Sequence, residues 1–229
     1  MSNDKRSQLA ALASDRRAFA LPKCYRQIGS FHGGKYDNPK DCPHVSPYTK
    51  GACNVDAQVF ILLQDWASEK WLSGPFRQAV ANLGRDPSLP TNITLSGYLT
   101  DHLSLQLAET YATNLFPFVK PGKMKAPIPF HLLVDSAHRF AVPQIDIVKP
   151  RLVICLGLAT FNALSEAFNQ PVFDRIGDAI KSQFKLADGP QIWCQAHTGK
   201  LGQMTRNRIG PDITNQDWRR MADAYLQSR

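Results

Sequence analysis

Four short apolar runs recur along the chain, each bounded by polar or turn-forming residues. They are 57–63 (Ala-Gln-Val-Phe-Ile-Leu-Leu), 110–116 (Thr-Tyr-Ala-Thr-Asn-Leu-Phe), 151–157 (Arg-Leu-Val-Ile-Cys-Leu-Gly) and 191–196 (Gln-Ile-Trp-Cys-Gln-Ala). Runs this short and this continuously apolar predict strands buried on both faces. Segments with helical periodicity lie before, between and after them, at 4–18, 76–83, 94–107, 131–147, 158–168 and 216–227. Pro143 should kink or split the fourth of these helical segments. Residues 20–54 are rich in Gly, Pro, Asn and Asp and read as loop. Apolar strands alternating with helices predict an α/β fold, a three-layer α/β/α arrangement around a central four-stranded parallel sheet. The expectation is one domain over 1–229, with 1–54 as a helix and loop-rich extension packed on it.

Right-handed crossovers place the loops that follow parallel strands along one sheet edge, and open α/β sheets bind ligands at that edge. Interest therefore falls on what leaves each strand. The first run exits through Gln64-Asp65-Trp66-Ala67, the second carries Asn114 near its end, and the third ends in Gly157 and enters a helix directly. The fourth leads into His197-Thr198-Gly199-Lys200-Leu201-Gly202, with Arg206 and Arg208 beyond. Each has a plain structural alternative: Asp65 as a helix cap, Asn114 as a turn amide, His197 as a packed imidazole. Their coincidence on one edge, beside a basic loop hinged on glycines, favours a shared site. Asn114 is the sharpest, because an amide in an apolar strand end must find partners or bear a desolvation cost. Walker-type and dinucleotide-binding glycine patterns are absent.

Charge changes the picture in one respect. The formal net charge is +8 and the pI about 9.4, which suits a polyanionic partner. No apolar run approaches membrane-spanning length, and the polar N-terminus does not resemble a signal peptide. A cytoplasmic monomer that does not engage membranes is expected. Five cysteines, an odd count, argue against a disulfide framework. Cys155 and Cys194 sit in strand runs as small core residues. Cys24, Cys42 and Cys53, with His32 and His44, could ligate zinc or an iron–sulfur cluster, but no C-x-x-C pair is present, so no metal or organic cofactor is expected.

Taken together, these segments resemble the uracil-DNA glycosylase superfamily. Gln64-Asp65-Trp66-Ala67 resembles the water-activating Gln-Asp-Pro-Tyr motif of the uracil-N-glycosylase branch, and His197-Thr198-Gly199-Lys200-Leu201 is similar to that branch's His-Pro-Ser-Pro-Leu loop. Thr113-Asn114-Leu115 with its following proline resembles the uracil-reading strand of the iron–sulfur branch, and Lys149 to Gly157 resembles a third-strand segment common to several branches. The matches run in the family's order from about 56 to 210. Ala67 stands where the branch has the tyrosine that blocks thymine's methyl, so thymine must be excluded elsewhere or the substrate range widens to hypoxanthine, xanthine or mismatched thymine. Thr198 and Gly199 replace a Pro-Ser pair. The iron–sulfur cysteine spacing and the covalently trapping Lys-Arg-Arg-Ile-His run are both missing.

The resemblance implies a monofunctional DNA glycosylase acting in base excision repair on single- and double-stranded DNA containing uracil. Asp65 would counter the sugar cation and orient or deprotonate water, and His197 would donate to the uracil oxygen. Asn114 would read the base edge, with Gln64, Trp66 and Ala67 around it. Phe76 is the expected stacking ring and Trp71 the second candidate. Leu201 would fill the space the base vacates, while Lys200, Arg206 and Arg208 hold phosphates. Two rivals share the fold: a nucleoside or nucleotide N-glycoside hydrolase, and a non-catalytic nucleic-acid-binding module.

Overall fold

A computed structural model describes residues 2–228, and Met1 and Arg229, the ends of the expected 1–229 domain, lie outside them. The chain opens with helix α1 (Ser2–Ala18), then runs through short 3₁₀ turns to the turn Pro47–Gly51. There follow β1 (Val59–Asp65), α2 (Glu69–Leu72), α3 (Gln78–Leu83), α4 (Pro90–Leu103) and β2 (Tyr111–Phe116). Next come α5 (Phe130–Ser136), α6 (Val142–Val148), β3 (Leu152–Leu156), α7 (Leu158–Ala167) and α8 (Ile176–Lys181). The chain closes with β4 (Phe184–Lys185), β5 (Gln191–Gln195), α9 (Lys200–Arg206) and α10 (Ile213–Gln227).

The sheet order is β2-β1-β3-β5-β4. The four strands expected from the sequence are all parallel neighbours, and the sheet has a fifth, β4, which pairs antiparallel with β5 through two residues. The four-stranded expectation is thus corrected to five: a two-residue edge strand is too short to carry a period. Pro143 splits the 131–147 helix as foreseen. It enters at the start of α6, and the turn before it, Ala137–Ala141, widens to π geometry, which accommodates the lost amide donor.

Strand alternation feeds two cores. Phe60, Leu62, Val153, Cys155, Ile192 and Cys194 face the layer of α1, α5, α6, α7 and α8. Val59, Ile61, Leu63, Ile154, Leu156 and Trp193 face the layer of α4 and α10. Both faces are covered, which is why each strand reads as continuously apolar. Segment 20–54 is more than a tether. Arg16, fully buried, makes a bidentate ion pair with Asp37 at 2.6 and 2.7 Å, fixing α1 to that segment. No helix among the described residues is long and apolar enough to cross a membrane.

Candidate active site

Parity places the site. Asp65 has the parity of Val59, Ile61 and Leu63, so its side chain leaves β1 on the α4 side, and Asn114 pairs in register with Leu63 on that side. His197 follows β5 by two residues. These positions surround the carboxyl ends of β1 and β3, where the strand order reverses direction, the place at which open α/β sheets form their crevice. A cavity of about 210 Å³ opens there, and Asp65, Asn114 and His197 all line it. A second depression of about 490 Å³ lies at the amino ends of β3 and β5 beside Lys149, Arg151 and Lys185, and none of Asp65, Asn114 and His197 lines it.

Asn114 is 1% exposed. Ser46 Oγ donates to its Oδ1 at 2.6 Å, and Ser46 Oγ in turn accepts the backbone N–H of Tyr48. That arrangement leaves the Asn114 Nδ2 buried without a partner and free to donate into the cavity. A buried donor without a partner costs about 1–3 kcal/mol, a cost that an incoming carbonyl would recover.

Asp65 ends β1 with its side chain 8% exposed and pairs with the buried Lys120 ammonium at 3.0 Å. Burial pushes the Asp65 carboxyl above the usual carboxylate range, and Lys120 offsets part of that rise. Lys120 reaches it because Glu69 N–H donates to the Lys120 carbonyl at 2.9 Å, binding the loop after β2 to the start of α2. Lys120 carries no local signal in the sequence, because its pairing with Asp65 depends on a loop crossing that no local pattern encodes.

The His197 loop is built tightly. Gly199 N–H donates to His197 Nδ1 at 3.0 Å, so the neutral ring carries its proton on Nε2. Thr198 Oγ1 donates to the Thr91 carbonyl at 2.9 Å, and Gln203 Nε2 donates to the His197 carbonyl at 3.1 Å. Tyr98 on α4 holds Gln203 at 2.6 Å. A Cβ at Gly202 would overlap the His197 carbonyl, which is why that position is glycine. Although His197 is exposed at the cavity rim, the protein packed around the imidazole keeps it from full hydration and lowers its pKa below the ordinary histidine value.

The walls are aromatic. Trp66 and Trp71 line the cavity with Tyr48, Leu63 and Val80. Trp66 Nε1 donates to the Gly84 carbonyl at 2.7 Å, and the Trp66 and Trp71 rings meet edge to face at 5.9 Å. Tyr48 donates to Asn92 Oδ1 at 2.8 Å, and Asn92 Nδ2 donates to the Asp86 carbonyl at 2.6 Å. Segment 20–54 therefore supplies Ser46 and Tyr48 to the site. The signal in the sequence was Ser46-Pro47, a capping serine ahead of a proline that starts a turn.

Several expected residues stand elsewhere. Phe76 does not line the cavity. It packs against Tyr36 at 5.1 Å and His32 at 5.7 Å under Lys35, and the large rings that do line the cavity are Trp66, Trp71 and Tyr48. Gln64 alternates with Asp65 along β1, which directs its side chain to the other sheet face. Ala67 is 1% exposed within a cluster of Ile28, Tyr36, Leu72, Val80 and Val119 and does not itself line the cavity. Lys200 and Leu201, which open α9 just after His197, and Arg208, in the turn that follows α9, are exposed, with Leu201 at 64%. Arg206 is the correction among the basic residues. It is buried and makes a bidentate ion pair with Asp217 at 2.7 and 3.1 Å, joining α9 to α10. Arg206→Gln should therefore cost about 3–5 kcal/mol of stability, whereas the exposed Lys200→Gln should leave stability unchanged; denaturant unfolding of the two variants separates these outcomes.

Cys24 is exposed, Cys42 buried and Cys53 half-buried, and all are free thiols. Among the described residues no group of three or more His, Cys, Asp or Glu side chains is placed to hold a metal ion. No protein-family model matches the chain, and no curated protein matches it.

Proposed function

We propose that the chain is a monofunctional DNA glycosylase that rotates uracil out of DNA and hydrolyses its N-glycosidic bond, leaving an abasic site for base excision repair. One observation carries the reading: a carboxylate, an imidazole and a buried amide with an unpartnered N–H₂ line a single aromatic-walled cavity at the carboxyl edge of the sheet.

Glycosidic cleavage leaves positive charge on the sugar and negative charge on the base. Asp65 supplies the counter-charge to the sugar and a carboxylate that orients or accepts a proton from the attacking water. His197 Nε2–H is a neutral donor for a base oxygen. The Asn114 Nδ2 donor suits the O4 carbonyl of uracil and opposes the amino group that cytosine presents there. Trp66 and Trp71 offer stacking faces. Outside the cavity, Leu201 can occupy the space left in the stack, and Lys200 and Arg208 can meet flanking phosphates.

The direct test is incubation with end-labelled single- and double-stranded oligonucleotides carrying one uracil, followed by alkaline cleavage. Strand scission at the uracil position is expected. Base release from free deoxyuridine but not from DNA would favour the nucleoside hydrolase, and tight binding with no release on any substrate would favour a binding module. Leu201→Ala should slow release from duplex by roughly tenfold or more, since a tenfold effect needs only about 1.4 kcal/mol of a flipping cost of a few kcal/mol. Single-stranded substrate should be affected much less, and equal losses on both would remove Leu201 from base flipping.

A further inference from the structure

Arg85 is the one lysine or arginine among the described residues that line the cavity. It follows Gly84, whose carbonyl holds Trp66, and its guanidinium occupies the space a side chain on Gly51 would need. Its Nε is buried without a hydrogen-bond partner. The adjacent acid does not neutralise it: Asp86 is engaged by Ser88 Oγ at 2.7 Å and by the Arg77 guanidinium. Asp65, the other carboxylate in the wall, is paired with Lys120. The Tyr48 hydroxyl and the Asn92 side chain are already bonded to their neighbours.

Apart from the Asp65 carboxylate, which keeps an Oδ2 without a hydrogen bond beside its ion pair with Lys120, the uncommitted polar groups of the wall include the donors Asn114 Nδ2, His197 Nε2 and Arg85. Such a wall suits a planar ligand rich in acceptors, and above all one that gains negative charge while bound. Resting on the glycosylase reading, we propose that Arg85 is a catalytic residue whose charge stabilises the base as it departs as an anion. In that step the C1′–N1 bond breaks and its electron pair stays on the base, spread over N1, O2 and O4. Water oxygen then bonds to C1′, and its proton passes to Asp65 and on to solvent or the released base. A cation that faces this charge only as it develops raises kcat rather than tightening substrate binding.

A leaving group that is more acidic needs that help less, so uracil and 5-fluorouracil divide the possibilities. Single-turnover and steady-state release from matched oligonucleotides would be compared for the wild-type chain, Arg85→Gln and Arg85→Lys. Arg85→Gln is expected to slow uracil release by about 100-fold and 5-fluorouracil release by less than about tenfold, with KM little changed. Arg85→Lys should recover part of the uracil rate, and thermal unfolding should show both variants folded. Equal losses on the two bases, a change confined to KM, or no loss at all would overturn the proposal while leaving the glycosylase reading intact. Failure of the wild-type chain to release either base would overturn that reading itself, and this proposal with it.

Discussion

Asp65→Asn is expected to slow uracil release by about 10²–10⁴-fold while binding to uracil-containing DNA persists, because an amide of the same shape neither counters a sugar cation nor accepts a proton from water. The structure adds a complication with a remedy. Lys120 is 3% exposed and has Asp65 as its ion-pair partner, so the single variant strands a buried ammonium at a cost of about 3–5 kcal/mol. Asp65→Asn combined with Lys120→Met removes both charges and should regain most of that stability without regaining activity. Wild-type rates in the folded double variant would take Asp65 out of the mechanism. Lys120→Met alone keeps the carboxylate but removes what offsets its burial. Its pKa then rises further, and the acid limb of the rate profile should move to higher pH. The same burial fixes the sign for stability: the folded state holds its Asp65 proton more tightly than the unfolded chain, so stability from this group falls as pH rises from the ordinary carboxylate value through the raised one.

How much of this could be read in the sequence follows from what each residue depends on. Strand positions were legible because β1, β2, β3 and β5 are buried on both faces and each is a short, mostly apolar run. Asp65, Asn114 and His197 were legible because a polar group at the carboxyl end of such a strand has few other places to go. Arg206 and Phe76 misled for a shared reason. Local sequence marks a residue as basic or aromatic but is silent on what it meets, and Asp217 and Tyr36 are met only through tertiary packing. Ser46, Tyr48, Arg85 and Lys120 were missed because they reach the site from loops whose course is set by distant contacts, such as the Thr49 hydroxyl donating to the Ala112 carbonyl. Gln64 could have been excluded beforehand, since strand alternation alone separates it from Asp65.

His197→Ala should lower the rate by about 10²–10³-fold, the usual consequence of removing one preorganised donor to a developing anion. The more telling expectation concerns pH. The Gly199 N–H bonded to Nδ1 requires that nitrogen to be an acceptor, which holds only for the neutral ring. The protein packed around the rim imidazole lowers its pKa and so extends the neutral form further into acid. If neutral His197 is the donor, the wild-type rate should rise from acid as Asp65 ionises and then stay flat through the ordinary histidine range. An imidazolium acting as general acid would instead make the rate fall from the lowered His197 pKa upward, as the ring loses its proton. Activity on this account needs Asp65 ionised and His197 neutral, so below both pKa values the acid limb carries two deprotonations and should be steeper than a single ionisation. His197→Ala removes one of the two groups, and its residual activity should show a limb of single-proton slope. A declining alkaline arm in the wild type that disappears in His197→Ala would assign the imidazole the opposite protonation state, and the neutral-donor account would have to be abandoned.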